Sequence, residues 1–108
     1  MTLKEIVGRC NLSSVYEIRH VTEDYGEVVF YNRDMEKWNT VFLDSLGPPI
    51  KPAGVEPSED QRRLAEAYGG IWKNQTLFKR EFDGFSLIAM YWPWQDQVHT
   101  TVKIARLR

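Results

Sequence analysis

The sequence predicts an α+β fold, a two-layer sandwich in which a mostly antiparallel sheet of about five strands carries two to three helices on one face. Short β-prone runs occur in pairs separated by turn residues, which is typical of antiparallel hairpins. Apolar residues at three- and four-residue spacing indicate helices between these pairs. A proline- and glycine-rich segment at 47–57 separates the two halves of the chain. The predicted element order is α-β-β-α-α-β-β-β, in a single domain over 1–108.

The N-terminal half begins with a short helix and a hairpin. Thr2 and Glu5 have the spacing of a capping box, and apolar residues then share one helical face, which predicts a helix at 3–10. β-branched and aromatic residues predict strands at 14–23 and 26–31, with turn residues between them.

The second predicted helix, at 35–46, has the clearest boundaries. Asp34 stands at the N-cap position, and Gly47 stands where a left-handed C-cap belongs. Pro48 and Pro49 cannot continue a helix, so the chain must leave the helical path there.

A third helix is predicted after the proline-rich segment. Ser58 and Gln61 repeat the capping-box spacing, and acidic residues occupy the first turn, where the helix dipole favours them. The glycine pair at 69–70 ends this helix.

The remainder of the chain predicts three strands. Asp83-Gly84 is the strongest hairpin signal, because a type I′ turn needs positive φ at two positions, and it joins strands at 76–82 and 85–92. The second of these is almost entirely apolar, which favours a central strand covered on both faces. The last strand, at 98–106, alternates apolar and polar residues.

The composition excludes several functional classes. Apolar residues make up 43% and charged residues 27% of the 108 residues, as expected for a soluble globular protein. The formal net charge of −1 predicts no strong attraction to nucleic acid or to an anionic membrane. No apolar run has the length of a membrane span or of a secretory signal, so we expect a cytoplasmic, reducing location. No cofactor-binding motif is present.

Residues 2–13 resemble the first helix and turn of a repressor-type helix-turn-helix. That motif needs an inward-facing apolar residue in its second helix, where this chain has Glu17. The residues that follow favour strands, and we therefore expect no nucleic-acid partner.

The sequence predicts no metal site and no disulfide. Cys10 is the single cysteine, which we expect to be a buried apolar side chain. His20 and His99 lie on predicted strands without the spacing of metal ligands.

Aromatic residues are predicted to gather at one end of the sheet. In a hairpin closed at 83–84, residues whose numbers add up to about 167 face each other, which brings Lys73 near Trp94. The irregular segment 47–57 is long enough to be a binding loop. We expect the candidate binding residues to form one surface, called here the tryptophan surface: Lys51, Trp72, Lys73, Tyr91, Trp92 and Trp94.

Three functional hypotheses follow. The first is a non-catalytic module that binds a small ligand or a protein partner at segment 47–57 and the Trp72, Trp92 and Trp94 end of the sheet. The second is a structural domain that associates with another copy through an edge strand, above all 98–106, so the chain is a monomer or a homodimer. The third is a small enzyme with a cleft between sheet and helix and acid–base groups chosen from Tyr16, His20, Lys73 and His99.

Overall fold

A computed structural model of the chain describes residues 2–10 and 12–107. These residues form an α+β fold with the element order that the sequence predicts. Their helices and strands are α1 (Leu3–Arg9), β1 (Glu17–Val21), β2 (Tyr25–Tyr31), α2 (Met35–Leu46), α3 (Glu59–Ala65), β3 (Thr76–Phe82), β4 (Phe85–Pro93) and β5 (His99–Leu107).

The five strands form one antiparallel sheet in the order β1-β2-β5-β4-β3. Within the hairpin of β3 and β4, Phe82 lies opposite Phe85, as predicted. The turn is not the predicted type I′, because Gly84 has a positive φ of +85° and Asp83 does not. The middle strand is β5, which pairs with β2 on one side and with β4 on the other. Strand β4 has a neighbour on each side and is covered on both faces, as predicted, but it is not the middle strand. The prediction that 98–106 is an edge is wrong. Pairing between β2 and β5 joins distant parts of the chain, and strand composition alone does not indicate it.

Ser58 and Thr2 cap their helices as predicted, whereas Asp34 does not. Ser58 and Gln61 form a complete capping box, with hydrogen bonds of 3.1 Å and 3.0 Å between each side chain and the other residue's N–H. The Thr2 hydroxyl accepts the N–H of Glu5 at 3.2 Å. Asp34 makes no capping hydrogen bond to α2, because a 3-10 turn precedes the helix and directs that carboxylate toward Lys37.

Boundaries differ from prediction at two other places. Strand β1 is shorter than the predicted 14–23, since a 3-10 turn occupies Leu12–Ser14 and the pairing with β2 is irregular between Ile18 and His20. Helix α3 is followed by a 3-10 turn at Glu66–Tyr68 before the chain reaches the glycine pair.

The sheet has a core on each face. Helices α1 and α2 cover one face, where residues such as Ile6 and Phe42 pack on strand residues that include Phe30 and Leu87. Helix α3 lies on the opposite face, where Ala65 joins a smaller cluster: Ile71, Leu77, Ile88, Met90 and Ala105. Two of the three helices therefore share one face of the sheet, in line with the predicted two to three. The third helix covers the other face of β4, and β4 carries apolar residues on both faces. None of the described helices has the length and hydropathy that crossing a membrane requires.

The larger core contains a hydroxyl group without a hydrogen bond. Tyr91 packs among Phe30, Phe42 and Phe78, and its hydroxyl oxygen has no partner among the described residues. Burial raises the pKa of Tyr91, so the group stays protonated and its desolvation is uncompensated.

We predict that Tyr91→Phe leaves the free energy of unfolding unchanged or raises it by up to about 1 kcal/mol, because no hydrogen bond is lost. The matched control is Tyr25→Phe, which removes a hydroxyl that donates to Glu27 at 2.7 Å. The free energy of unfolding of this control should fall by about 1 kcal/mol. Urea unfolding of both variants measures the difference, and a larger loss for Tyr91→Phe would contradict the prediction.

Candidate functional site

Segment 47–57 is attached to the free edge of β3 through Lys51. Lys51 and Leu77 exchange two backbone hydrogen bonds, of 3.2 Å and 2.9 Å, so that one residue of the segment extends the sheet. The Lys51 side chain is then directed beneath the segment, and the residue is only 1% exposed.

The buried ammonium group of Lys51 is held by backbone oxygens. It donates to the carbonyls of Pro52 at 3.1 Å and Lys73 at 3.0 Å, and also to the carbonyl of Gln75. Burial lowers the pKa of Lys51, and the nearby carboxylate of Glu56 opposes this effect. The Lys51 ammonium therefore connects segment 47–57 to the turn before β3, and it lies below the surface where a ligand would bind.

The turn at 72–75 is closed by the backbone N–H and the side-chain oxygen of Gln75. The Gln75 N–H donates to the carbonyl of Trp72 at 3.1 Å, and the Gln75 side-chain oxygen accepts the Trp72 N–H at 2.9 Å. The N–H of Gly54 adds a bond of 2.8 Å to the Lys73 carbonyl. The backbone that carries Trp72 is thus fixed from two sides.

Trp72 is 55% exposed, yet its indole has a defined position. The edge of the ring meets Trp92, with centroids 5.6 Å apart and planes at 78°. It also packs on Gly70, which has φ +93° and where a Cβ atom would lie 3.0 Å from the indole. A side chain at position 70 would be strained by its φ and would displace Trp72.

Trp92 fixes the neighbouring glycine in a similar way. Gly69 has φ +101°, and a Cβ atom there would lie 2.7 Å from the Trp92 ring. The Lys103 ammonium lies 3.8 Å from the centroid of that ring and donates to the Tyr68 carbonyl at 2.9 Å. These contacts attach the end of the α3 region to β5, the middle strand of the sheet.

The space between α3 and residues 69–73 is a groove with a volume of about 720 Å³, and we call it the Trp72 groove. It is open to solvent. Buried Pro57 and Ile71 contribute apolar surface to its lining. On the other side of Trp72, a second open depression of about 670 Å³ includes Ala53 and Gly54.

One wall of the Trp72 groove is a polar stripe of α3 and the turn that follows it. Arg62 pairs with Glu56 at 3.7 Å, and Arg63 pairs with Glu59 at 2.6 Å. Across the described part of the chain, Glu66 and Lys73 make no ion pair. The groove therefore offers one free carboxylate and one free ammonium group. Both are groove-lining residues.

The predicted tryptophan surface is divided in the structure. Trp72, Lys73 and Trp92 lie together above Lys51, whereas Tyr91 belongs to the core on the opposite face of the sheet. Alternation along β4 explains this separation, since successive residues of a strand point to opposite faces.

Trp94 belongs to a different aromatic cluster. Its indole N–H donates to the Thr101 hydroxyl at 2.8 Å, and its ring contacts Tyr16 and His99. The pairing that predicted Lys73 beside Trp94 does not form, because the ladder between β3 and β4 ends at Thr76 opposite Tyr91.

The acid–base candidates are also dispersed. Tyr16 and His99 are in ring contact at 4.3 Å, while His20 packs near Tyr25 at 6.0 Å and Lys73 lies at the groove. No sequence pattern indicated a role for Asp96, whose carboxylate lies 2.5 Å from the His99 imidazole nitrogen Nδ1. That bond comes first among the causes that lower the pKa of Asp96 to about 2, and the backbone N–H groups of Val98 and His99 contribute too.

Sequence reasoning also missed the polar wall and Gln75. The wall had a usable signal, since Glu59, Arg62, Arg63 and Glu66 follow the spacing of one helical face. No local pattern indicates Gln75, whose role depends on a turn that closes on its own side chain.

Cys10 is buried, as predicted, and burial raises the pKa of its thiol to about 12. Within the described ranges, no three His, Cys, Asp or Glu side chains gather in a way that could hold a metal ion.

No family model, no curated protein and no solved structure matches this chain. Functional inference therefore starts from the geometry of the Trp72 groove.

We predict that Lys51→Met lowers the free energy of unfolding by at least about 2 kcal/mol, because it leaves buried carbonyl oxygens unpaired. It should also shift the indole NMR signal of Trp72, which the same bonds position. Lys73→Met is the matched control, since Lys73 is exposed, and it should change stability by no more than about 0.5 kcal/mol. Equal losses for the two variants would contradict the role of Lys51.

We predict a pH-dependent contribution from Asp96. Its pKa is about 2 in the folded chain against an ordinary 3.8, so its stabilising effect is present above about pH 4 and is lost as pH falls toward 2. The stability difference between the natural chain and Asp96→Asn should therefore shrink over that range. An NMR titration that places the Asp96 pKa near its ordinary value would contradict the observed contacts.

Proposed function

We propose that this chain is a non-catalytic binding module whose site is the Trp72 groove and whose ligand is a protein partner. One observation carries the proposal: Trp72 is more than half exposed while its backbone and ring are both fixed. Tryptophan is enriched among the residues that dominate binding energy at protein interfaces.

The fixed position of Trp72 favours binding in energetic terms. Association has to offset the entropy lost when mobile side chains are immobilised, at about 0.5–1.5 kcal/mol for each. An indole already held by Trp92, Gly70 and Gln75 avoids most of that cost.

The shape of the groove supports a protein segment over a small molecule. Small-molecule sites usually enclose most of the ligand surface, whereas this groove is open and continues past Trp72 into a second depression. Charges of both signs on the α3 wall suit a polypeptide with mixed side chains.

The other two hypotheses have less support. The four acid–base candidates do not converge on one cleft. Both edges of the sheet carry features that hinder pairing: β1 is short and irregular, and Lys51 covers part of β3.

We predict that Trp72→Ala weakens binding of peptides selected on the natural chain by at least about tenfold. Peptides would come from a random display library, and affinities from calorimetry. Tyr16→Ala is the matched control, because Tyr16 is an aromatic residue of similar exposure, 50% against 55%, in the other cluster. Unchanged affinity for Trp72→Ala, with its folding verified by NMR, would overturn the proposal.

A further inference from the structure

We infer that the partner segment is a proline-rich stretch in the polyproline II conformation, with a basic residue beside the prolines. This inference rests on the proposed function and names the chemistry of the partner. It is carried by the hydrogen-bond donors of the Trp72 groove, by the position of Trp72 between two depressions and by the charge of Glu66.

The groove presents hydrogen-bond donors that have no partner within the described chain. The indole N–H of Trp72 and the backbone N–H of Ile71 make no hydrogen bond to any described residue. The ammonium group of Lys73 is similarly free. These three donors belong to residues that line the groove, and each can donate to a carbonyl oxygen of a ligand.

A polyproline II segment supplies the groups that these donors need. It has no internal hydrogen bonds, so every carbonyl oxygen is available, and proline contributes no N–H that would need an acceptor. A helix would not satisfy the donors, since the carbonyls along its length bond within the helix.

The apolar surface on the two sides of Trp72 also suits a polyproline II segment. A polyproline II helix repeats every three residues, or about 9 Å, and therefore presents a regular row of proline rings on each side. The Trp72 indole stands between the groove that includes Pro57 and Ile71 and the depression that includes Ala53 and Gly54. Successive rings of the segment would pack on either side of the indole, as in other aromatic-lined sites for such segments.

Glu66 indicates the charge that we expect on the partner segment. Its carboxylate is exposed on the α3 wall and has no ion pair in the described ranges, whereas the arginines beside it already have acidic partners. A lysine or arginine flanking the prolines would pair with Glu66.

The test uses the whole chain and two capped peptides. The first has nine prolines followed by one lysine, and the second has alanine in place of every proline. NMR titration should show saturable shifts of the Trp72 indole and of the Ile71 amide with the proline peptide. Its affinity should exceed that of the alanine peptide by at least about tenfold.

Two variants test the donors and the charge separately. Trp72→Phe keeps an aromatic ring but removes the indole N–H, and it should weaken binding of the proline peptide by about fivefold. Glu66→Gln should weaken binding of that peptide but not of one without lysine. Proline binding that is unaffected by Trp72→Phe would overturn the assigned role of the donor.

The outcomes separate this inference from the proposed function. Library peptides that bind at Trp72, together with a proline peptide that does not bind, would overturn the inference and leave the binding module standing. Equal binding of the proline and alanine peptides would also overturn it. If neither the library nor the proline peptide yields a ligand at Trp72, both proposals fail.

Discussion

The Lys51 ammonium group holds together the irregular segments around the Trp72 groove. An isolated cation inside a protein is strongly unfavourable, and here three backbone carbonyls replace the lost water. Because those carbonyls belong to segment 47–57 and to the turn that carries Trp72, one side chain holds two irregular pieces of chain together. It also places a residue against the edge of β3, where an exposed strand would otherwise offer unpaired backbone groups.

A second lysine also bonds the backbone close to the Trp72 groove. Lys103 extends from the middle strand, lies over Trp92 and donates to the carbonyl of Tyr68. Burial lowers its pKa, as it does for Lys51. Ammonium groups thus hold the backbone at or beside two parts of the groove lining, at Lys73 and next to Gly69. The charged residues at the surface of the groove remain available for other contacts.

Local signals in the sequence predicted local structure well. The boundaries of α2 follow from Gly47 and the prolines after it, and the β3–β4 register follows from Asp83-Gly84. Strand order could not be predicted, because the pairing of β2 with β5 depends on contacts between distant parts of the chain. The candidate site was predicted in part. The prediction placed Tyr91 and Trp92 on one surface, although alternation along β4 puts them on opposite faces. Nothing local showed that Lys51 would be buried.

Positions 69 and 70 admit almost no substitution, since each has a positive φ and an indole in the space of a Cβ atom. The polar residues on α3 face solvent and can change with little effect on folding. On the proposed function, ligand preference would therefore diverge among descendants of this chain through residues such as Arg62 and Glu66, while the glycine pair stayed constant. The groove would keep its place in the fold while the side chains that face a ligand changed, and a lineage could exchange partners without rebuilding the fold.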